Sequence, residues 1–188
     1  WAAGSGSGVH ADRSTPGCST AAPPTAAAIA SEAAGAHVAT LERLAVLERA
    51  VAGKPDAVAI AYDWALTGTL IELGRAAEAL ERAIQRERAL PDNYNPPQYQ
   101  ARAYKELGRY HEGLAAIERA IHLAYGPRRL SFLTLKADLL IGAHRKDEAR
   151  RVVEEQLAGY RALPEGQKQP AAEARIEQRL AHWQPAAR

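Results

Sequence analysis

Residues 72–75 read Glu-Leu-Gly-Arg, and residues 106–109 repeat the same four residues 34 positions later. The segments that follow also correspond, because Glu-Ala-Leu at 78–80 returns as Glu-Gly-Leu at 112–114. Self-similarity at a fixed spacing of this length is typical of arrays of helical repeats, in which one supersecondary unit stacks on the next. The stretch 60–125 therefore predicts a helical repeat fold, and the rest of the chain is interpreted around it.

Composition favours an all-α fold. The chain has 188 residues, enough for one domain with a substantial core, and it is rich in alanine, the strongest helix former. No segment shows the alternation of valine, isoleucine and threonine that a half-buried strand needs. We expect helices throughout and no sheet.

Charge and hydropathy limit the classes of partner. The 24 basic and 22 acidic residues give a formal net charge of +2, without the basic stripe expected of a protein that binds nucleic acid. No apolar run reaches the roughly 18 residues of a membrane helix. We therefore expect neither nucleic acid nor a membrane span, and the single cysteine, Cys18, excludes an intrachain disulfide.

Apolar residues three and four positions apart, separated by glycine and proline, predict nine helices. Gly35 is expected to end the first helix, Gly74 to provide a left-handed C-cap and Gly108 to close another helix. Pro96 and Pro97 suit the first turn of a helix, where a missing N–H group costs nothing. The expected helices are 25–34, 37–52, 58–73, 76–89, a helix capped by Asn93 or Asn95 that runs to Leu107, 110–124, 128–141, 146–163 and 171–183.

The paired helices resemble tetratricopeptide repeats, which are antiparallel helix pairs of about 34 residues. The motif of that family places small residues where two helices approach closely and bulky residues in the holes between them. The second copy fits best, with Ala101, Gly113 and Ala120 at small positions and Tyr104 and Ile117 at large ones.

The resemblance has clear departures. Arg86 and Gln156 stand where the motif asks for a small residue, and Arg43 makes the first copy degenerate. The resemblance implies an α-solenoid of antiparallel helix pairs that form a right-handed superhelix. We expect these repeats to occupy residues 25–163, followed in 164–188 by a loop and a capping helix.

In such a superhelix the first helix of each pair lines a concave groove, and the resemblance implies that the groove holds a segment of another protein. An aromatic anchor beside cationic donors would suit an extended peptide. The alternative is that Trp64 belongs to the core, since large aromatic side chains are mostly buried, and that Arg102 and Lys105 are simply solvated. The predicted groove residues are Trp64, Gln98, Arg102, Lys105, Thr134 and Asp138, with Tyr94 and Tyr99 as possible interface residues.

No pattern in the sequence indicates catalysis. None of the six histidines pairs with another histidine or with the cysteine at the spacing of metal ligands. Neighbouring carboxylates such as Glu154 and Glu155 point to different sides of their helix, so they make a poor acid/base pair. We expect no catalytic site, no metal and no cofactor, and hence no enzyme activity.

Residues 1–24 are rich in glycine, serine, proline and alanine. Such a segment buries too little apolar surface to offset its ordering entropy, so a flexible or extended N-terminal arm is expected. The chain begins at Trp1 without an initiator methionine, from which we expect that it was processed, trimmed or cut from a longer chain, as in the removal of an export signal. Export to the periplasm or outside a bacterial cell is the expected location, with the cytoplasm as the alternative.

These features together predict a non-catalytic scaffold for protein–protein interaction. The scaffold is expected to be a subunit of a larger assembly, with the N-terminal arm as its anchor. The alternative is a soluble peptide-binding adaptor or assembly factor that uses the concave groove. The expected partner is another protein subunit or a second copy of this chain.

Overall fold

The computed structural model describes residues 26–183, and the side chains from residue 31 onward. All regular structure in this part of the chain is helical, without strands, so the all-α prediction is confirmed. A short 3-10 turn, Glu165–Gln167, lies in the loop before the last helix. The helices are α1 (Ala26–Val51), α2 (Asp56–Glu72), α3 (Ala76–Ala89), α4 (Asn95–Glu106), α5 (Tyr110–Leu123), α6 (Gly126–Gly142), α7 (Lys146–Arg161) and α8 (Pro170–Ala181).

The prediction that Gly35 separates two helices is wrong. α1 runs through Gly35 as one helix of 26 residues. The glycine does not adopt a left-handed conformation, and no neighbouring group crowds it. A glycine inside a helix costs about 1 kcal/mol relative to alanine, and the alanine-rich sequence on both sides offsets that cost. The predicted N-terminal arm, residues 1–24, lies outside the described residues.

Three helix–turn–helix connections share the same backbone geometry. Gly74 and Gly108 close α2 and α4 with φ of 72° and 69°, and His144 closes α6 with φ of 60°. In each turn the next residue, an arginine, donates its backbone N–H to a carbonyl five residues earlier, as Arg145 does to Leu140 at 2.8 Å. This bond is the 6→1 contact of a Schellman cap, so the third turn repeats the first two although its sequence lacks the glycine.

Among the non-glycine residues that the structure describes, His144 alone has a positive φ. A side chain in the left-handed region costs about 1–2 kcal/mol, whereas glycine adopts it freely but loses more entropy on folding. We therefore expect His144→Gly to raise the free energy of unfolding by about 0.5–1 kcal/mol. Chemical denaturation followed by circular dichroism measures the change.

Ala143 supplies the matched control for that substitution. It precedes His144 in the same turn and has an ordinary φ of −79°. Ala143→Gly should destabilise the chain, because there glycine adds flexibility without relieving strain. A destabilising His144→Gly would mean that the imidazole contributes more than the backbone conformation costs.

An arginine and a glutamate bracket the start of each helix that follows these turns. Arg145 Nη2 lies 2.6 Å from Glu148 Oε2, Arg109 Nε lies 2.9 Å from Glu112 Oε1, and Arg75 pairs with Glu78 in the same way. The hydrogen bond from Arg145 lowers the pKa of Glu148. These exposed pairs are individually weak. Their recurrence at the same place shows that the sequence repeat corresponds to a repeated local structure.

The helices pack in chain order. Each helix contacts the next one, and α4 also contacts both α2 and α6. Leu70 and Leu66 fill the core between α1, α2 and α3, whereas Ile117 and Leu139 belong to the core built by α4 to α8. The two cores meet on α4, where Tyr104 packs against both.

Small residues allow the closest helix contacts. A Cβ atom added to Gly113 on α5 would lie 2.6 Å from Leu139 Cδ2, and Leu139 is fully buried. A Cβ added to Gly142 would overlap the ring of Tyr110, and a Cβ added to Gly159 would overlap the side chain of Leu130. The small residue predicted at Gly113 is thus required by the packing of α5 against α6.

Polar contacts reinforce the junction of α3, α4 and α5. Gln100 on α4 donates to Glu87 on α3 at 2.6 Å, and Arg119 on α5 donates to Glu87 at 2.8 Å and to Gln100 at 3.0 Å. The hydrogen bond from Arg119 lowers the pKa of Glu87, and the bond from Gln100 acts in the same direction. The buried amide of Gln100 is therefore satisfied, as a polar group inside a helix interface must be.

Candidate binding face

The helices α2, α4 and α6 present a row of adjacent side chains, called here the α2–α4–α6 face, which includes Trp64, Arg102, Lys105 and Asp138. The last helix, α8, contacts one end of this face. A Cβ added to Gly68 on α2 would lie 3.8 Å from Arg102 Nη2 on α4. Lys105 Nζ on α4 lies 3.8 Å from Asp138 Oδ2 on α6, and Arg179 Nη2 on α8 donates to Asp138 Oδ1 at 2.8 Å. All six predicted groove residues lie on α2, α4 and α6, and four of them, Trp64, Arg102, Lys105 and Asp138, form this row.

Trp64 is the main apolar feature of the face. Its residue surface is 66% exposed, so the interpretation of Trp64 as a core residue is wrong. The buried side of α2 is formed by Ala59, Leu66 and Leu70, and Trp64 lies on the opposite side of the helix. A tryptophan exposed to this degree carries a large apolar area without contributing to the core.

The cations of the face differ in their partners. Lys105 lies within 3.9 Å of Glu106 and 3.8 Å of Asp138, so its charge is partly balanced. Arg102 is half-buried and forms no ion pair with any side chain of residues 31–183. A guanidinium of this kind, held beside Gly68, can donate hydrogen bonds to a carboxylate or carbonyl of a bound chain.

The remaining predicted groove residues are placed differently. Gln98 is half-buried on α4. Thr134 is exposed, but its hydroxyl accepts a hydrogen bond of 2.8 Å from Gln156 on α7. Gln156 also donates to the backbone carbonyl of Leu130 at 2.9 Å. Gln156, the polar residue that departs from the repeat motif, thus links α7 to α6. The same contact occupies the Thr134 hydroxyl.

The two predicted interface tyrosines have opposite environments. Tyr99 is 5% exposed, and burial raises its pKa to about 12, with Asp63 adding to the shift. It belongs to the interior, which argues against Tyr99 as an interface residue. Tyr94 is half-buried and packs edge-on to the 78%-exposed Tyr125, with ring centroids 6.4 Å apart.

A second site was not foreseen from the sequence. A cavity of about 360 Å³ opens between α2 and α3, where Arg86 donates to Asp63 at 2.7 Å and also pairs with Asp56. Arg86 and Asp63 have side chains only 15% and 13% exposed. One feature of the sequence points to this ion pair. Arg86 stands where the repeat motif has a small residue, and an arginine in a helix interface requires an acidic partner.

The described residues offer no arrangement for metal chemistry, since none of their His, Cys, Asp and Glu side chains form a group of three or more that could hold an ion. None of the helices between residues 26 and 183 is long and apolar enough to cross a bilayer. Comparisons of the chain with protein-family models, with curated proteins and with solved structures each find no match.

Proposed function

We propose that this chain is a tetratricopeptide-like α-solenoid that serves as a non-catalytic scaffold for protein–protein interaction. The observation that carries the proposal is the α2–α4–α6 face. On it the exposed Trp64 lies one helical turn before Gly68, and Gly68 lies beside Arg102, which has no ion-pair partner among residues 31–183. Interfaces are enriched in tryptophan and arginine, which contribute most of the binding energy where they cluster.

The repeated local structure supports the solenoid part of the proposal. The turns at Gly74, Gly108 and His144 share one backbone geometry, and an arginine–glutamate pair follows each of them. Contacts of α4 with both α2 and α6 are those expected when the first helices of successive pairs stack. The short α8 covers the last pair, with Ile176 buried against the core.

The chemistry of the face favours one class of bound segment. An extended peptide with an apolar or aromatic side chain for Trp64 and an acidic side chain for Arg102 would satisfy both residues. Asp138 is already held by Arg179 and Lys105, so it offers little further attraction for a basic segment. Nothing in this arrangement requires a reaction, and the role proposed is to hold another protein within a larger assembly.

Trp64→Ala tests the proposal directly. Because Trp64 is exposed, the substitution should leave thermal stability unchanged, whereas truncating an interface anchor should weaken partner binding by roughly tenfold or more. The measurement is quantitative mass spectrometry of the proteins that co-purify with the full chain from its own organism. His111→Ala, an exposed position on α5, is the matched control.

A chain lacking residues 1–24 completes the experiment. A partner lost from Trp64→Ala and retained after the deletion assigns binding to the α2–α4–α6 face. A partner lost only after the deletion assigns binding to the N-terminal arm and contradicts the role proposed for Trp64 and Arg102.

A further inference from the structure

The N-terminal half of α1 has no packing partner within the described chain. Residues 31–39 are all exposed, and in the second half of the helix Leu44 is buried against α2. By contrast, α3 packs between α2 and α4, and α5 packs between α4 and α6. Among the described residues, no helix packs on the side of α1 away from α3, where the pattern of the later pairs would place one.

One side of this helix has a regular composition. Glu32, Ala36, Ala39, Arg43, Val46 and Ala50 follow steps of four and three residues, so they form a single stripe along α1. Val46 is 56% exposed although it lies beside the region of α1 that packs on α2. Alanine positions in such a stripe allow two helix axes to approach closely.

The stripe is complementary to itself in one orientation. If two copies of α1 pair antiparallel about a centre between residues 37 and 38, Glu32 lies opposite Arg43 of the second copy, and Ala36 lies opposite Ala39. A parallel pairing would instead place Glu32 against Glu32 and Arg43 against Arg43, which is repulsive.

We propose that α1 is the interface of a two-fold symmetric dimer in which the N-terminal half of each α1 lies antiparallel along the exposed stripe of the other. Residues 26–49 overlap in this register, which corresponds to about 36 Å of helix contact. The second copy then occupies the position that an additional first helix would take beside α1 and α2. The arrangement is closed, because the same surface serves on both subunits.

Arg43 contributes to both subunits in this dimer. Its guanidinium already pairs with Glu72 on α2, and its Nε donates to Thr69 at 3.1 Å. Both charged side chains of that pair are about half exposed, at 49% and 58%. Glu32 of the second copy therefore adds a second carboxylate to a guanidinium that α2 has already oriented.

Sedimentation equilibrium of the full chain measures the proposed association. The original chain should dimerise at micromolar concentrations, and Val46→Glu should raise the dissociation constant by roughly tenfold or more. Leu41→Glu is the matched control, because Leu41 is 44% exposed and lies about two and a half turns from both Glu32 and Ala50, on the opposite side of α1 from the stripe. A monomeric original chain overturns the proposal, as does a dimer that Leu41→Glu disrupts and Val46→Glu does not.

A charge exchange tests the antiparallel register separately from folding. Glu32→Arg and Arg43→Glu should each weaken self-association, since each places like charges opposite one another. A mixture of the two variants should form a heterodimer, because both opposed pairs then have opposite signs. Circular dichroism checks that each variant is folded. Two folded variants that fail to associate when mixed would contradict the register.

Discussion

An Arg86→Ala chain should have a free energy of unfolding about 3 kcal/mol lower than that of the original chain. The guanidinium of Arg86 pairs with Asp63 and Asp56, and Asp63 is 13% exposed. Alanine would leave the Asp63 carboxylate facing the cavity between α2 and α3 without a counter-charge. Because the cavity is open to water, the loss in free energy of unfolding should lie near the lower end of the range for breaking a buried ion pair. Urea denaturation followed by circular dichroism measures it.

Arg82 provides the control on the same helix. It pairs with Glu48 and Glu78, and the side chains of all three are between 32% and 41% exposed. Arg82→Ala should therefore cost no more than about 1 kcal/mol. The double variant Arg86→Ala with Asp63→Ala should recover part of the lost stability, because the uncompensated charge is removed. Equal costs for Arg86→Ala and Arg82→Ala would show that the ion pair does not hold α2 against α3.

Helix positions were predictable because their limits depend on local chemistry. α3 begins at Ala76 and ends at Ala89 as expected, between the left-handed Gly74 and Pro91. The failure at Gly35 has a physical cause, since a glycine ends a helix only where packing or a turn makes continuation unfavourable. No such constraint acts on the exposed first half of α1, so helix propensity decided the outcome.

The candidate site was predictable only where the repeat motif fixed the side on which a residue lies. Trp64, Arg102 and Asp138 were placed on one face by their positions within first helices, and the structure brings them onto α2, α4 and α6. The prediction of Tyr99 as an interface residue is wrong because it relies on the high frequency of tyrosine at interfaces. That frequency does not indicate whether a given side chain points to the surface or to the core. The cavity at Arg86 depends on the distance between two helices, which a single sequence does not specify.

Ala120→Leu should lower the free energy of unfolding by about 1–3 kcal/mol. Ala120 lies on α5, is fully buried, and belongs to the core shared with α6 and α7. A leucine there would add bulk to a part of the core in which Ile117 and Ala116, on the same side of α5, are also fully buried. The melting temperature and urea midpoint measure the loss, and the sign follows from overpacking rather than from any lost contact.

Ala115 distinguishes this explanation from a general effect of leucine on α5. It lies five residues earlier on the same helix and is exposed, so Ala115→Leu should change stability by no more than about 0.5 kcal/mol. The pair of variants also tests the repeat register, since the motif requires a small residue at Ala120 and makes no demand at Ala115. If Ala120→Leu has the same melting temperature as the original chain, the core between α5 and its neighbouring helices accommodates a larger side chain at that position. The small residue would then be a coincidence of an alanine-rich composition, and the tetratricopeptide-like alignment of this copy would lose its main support.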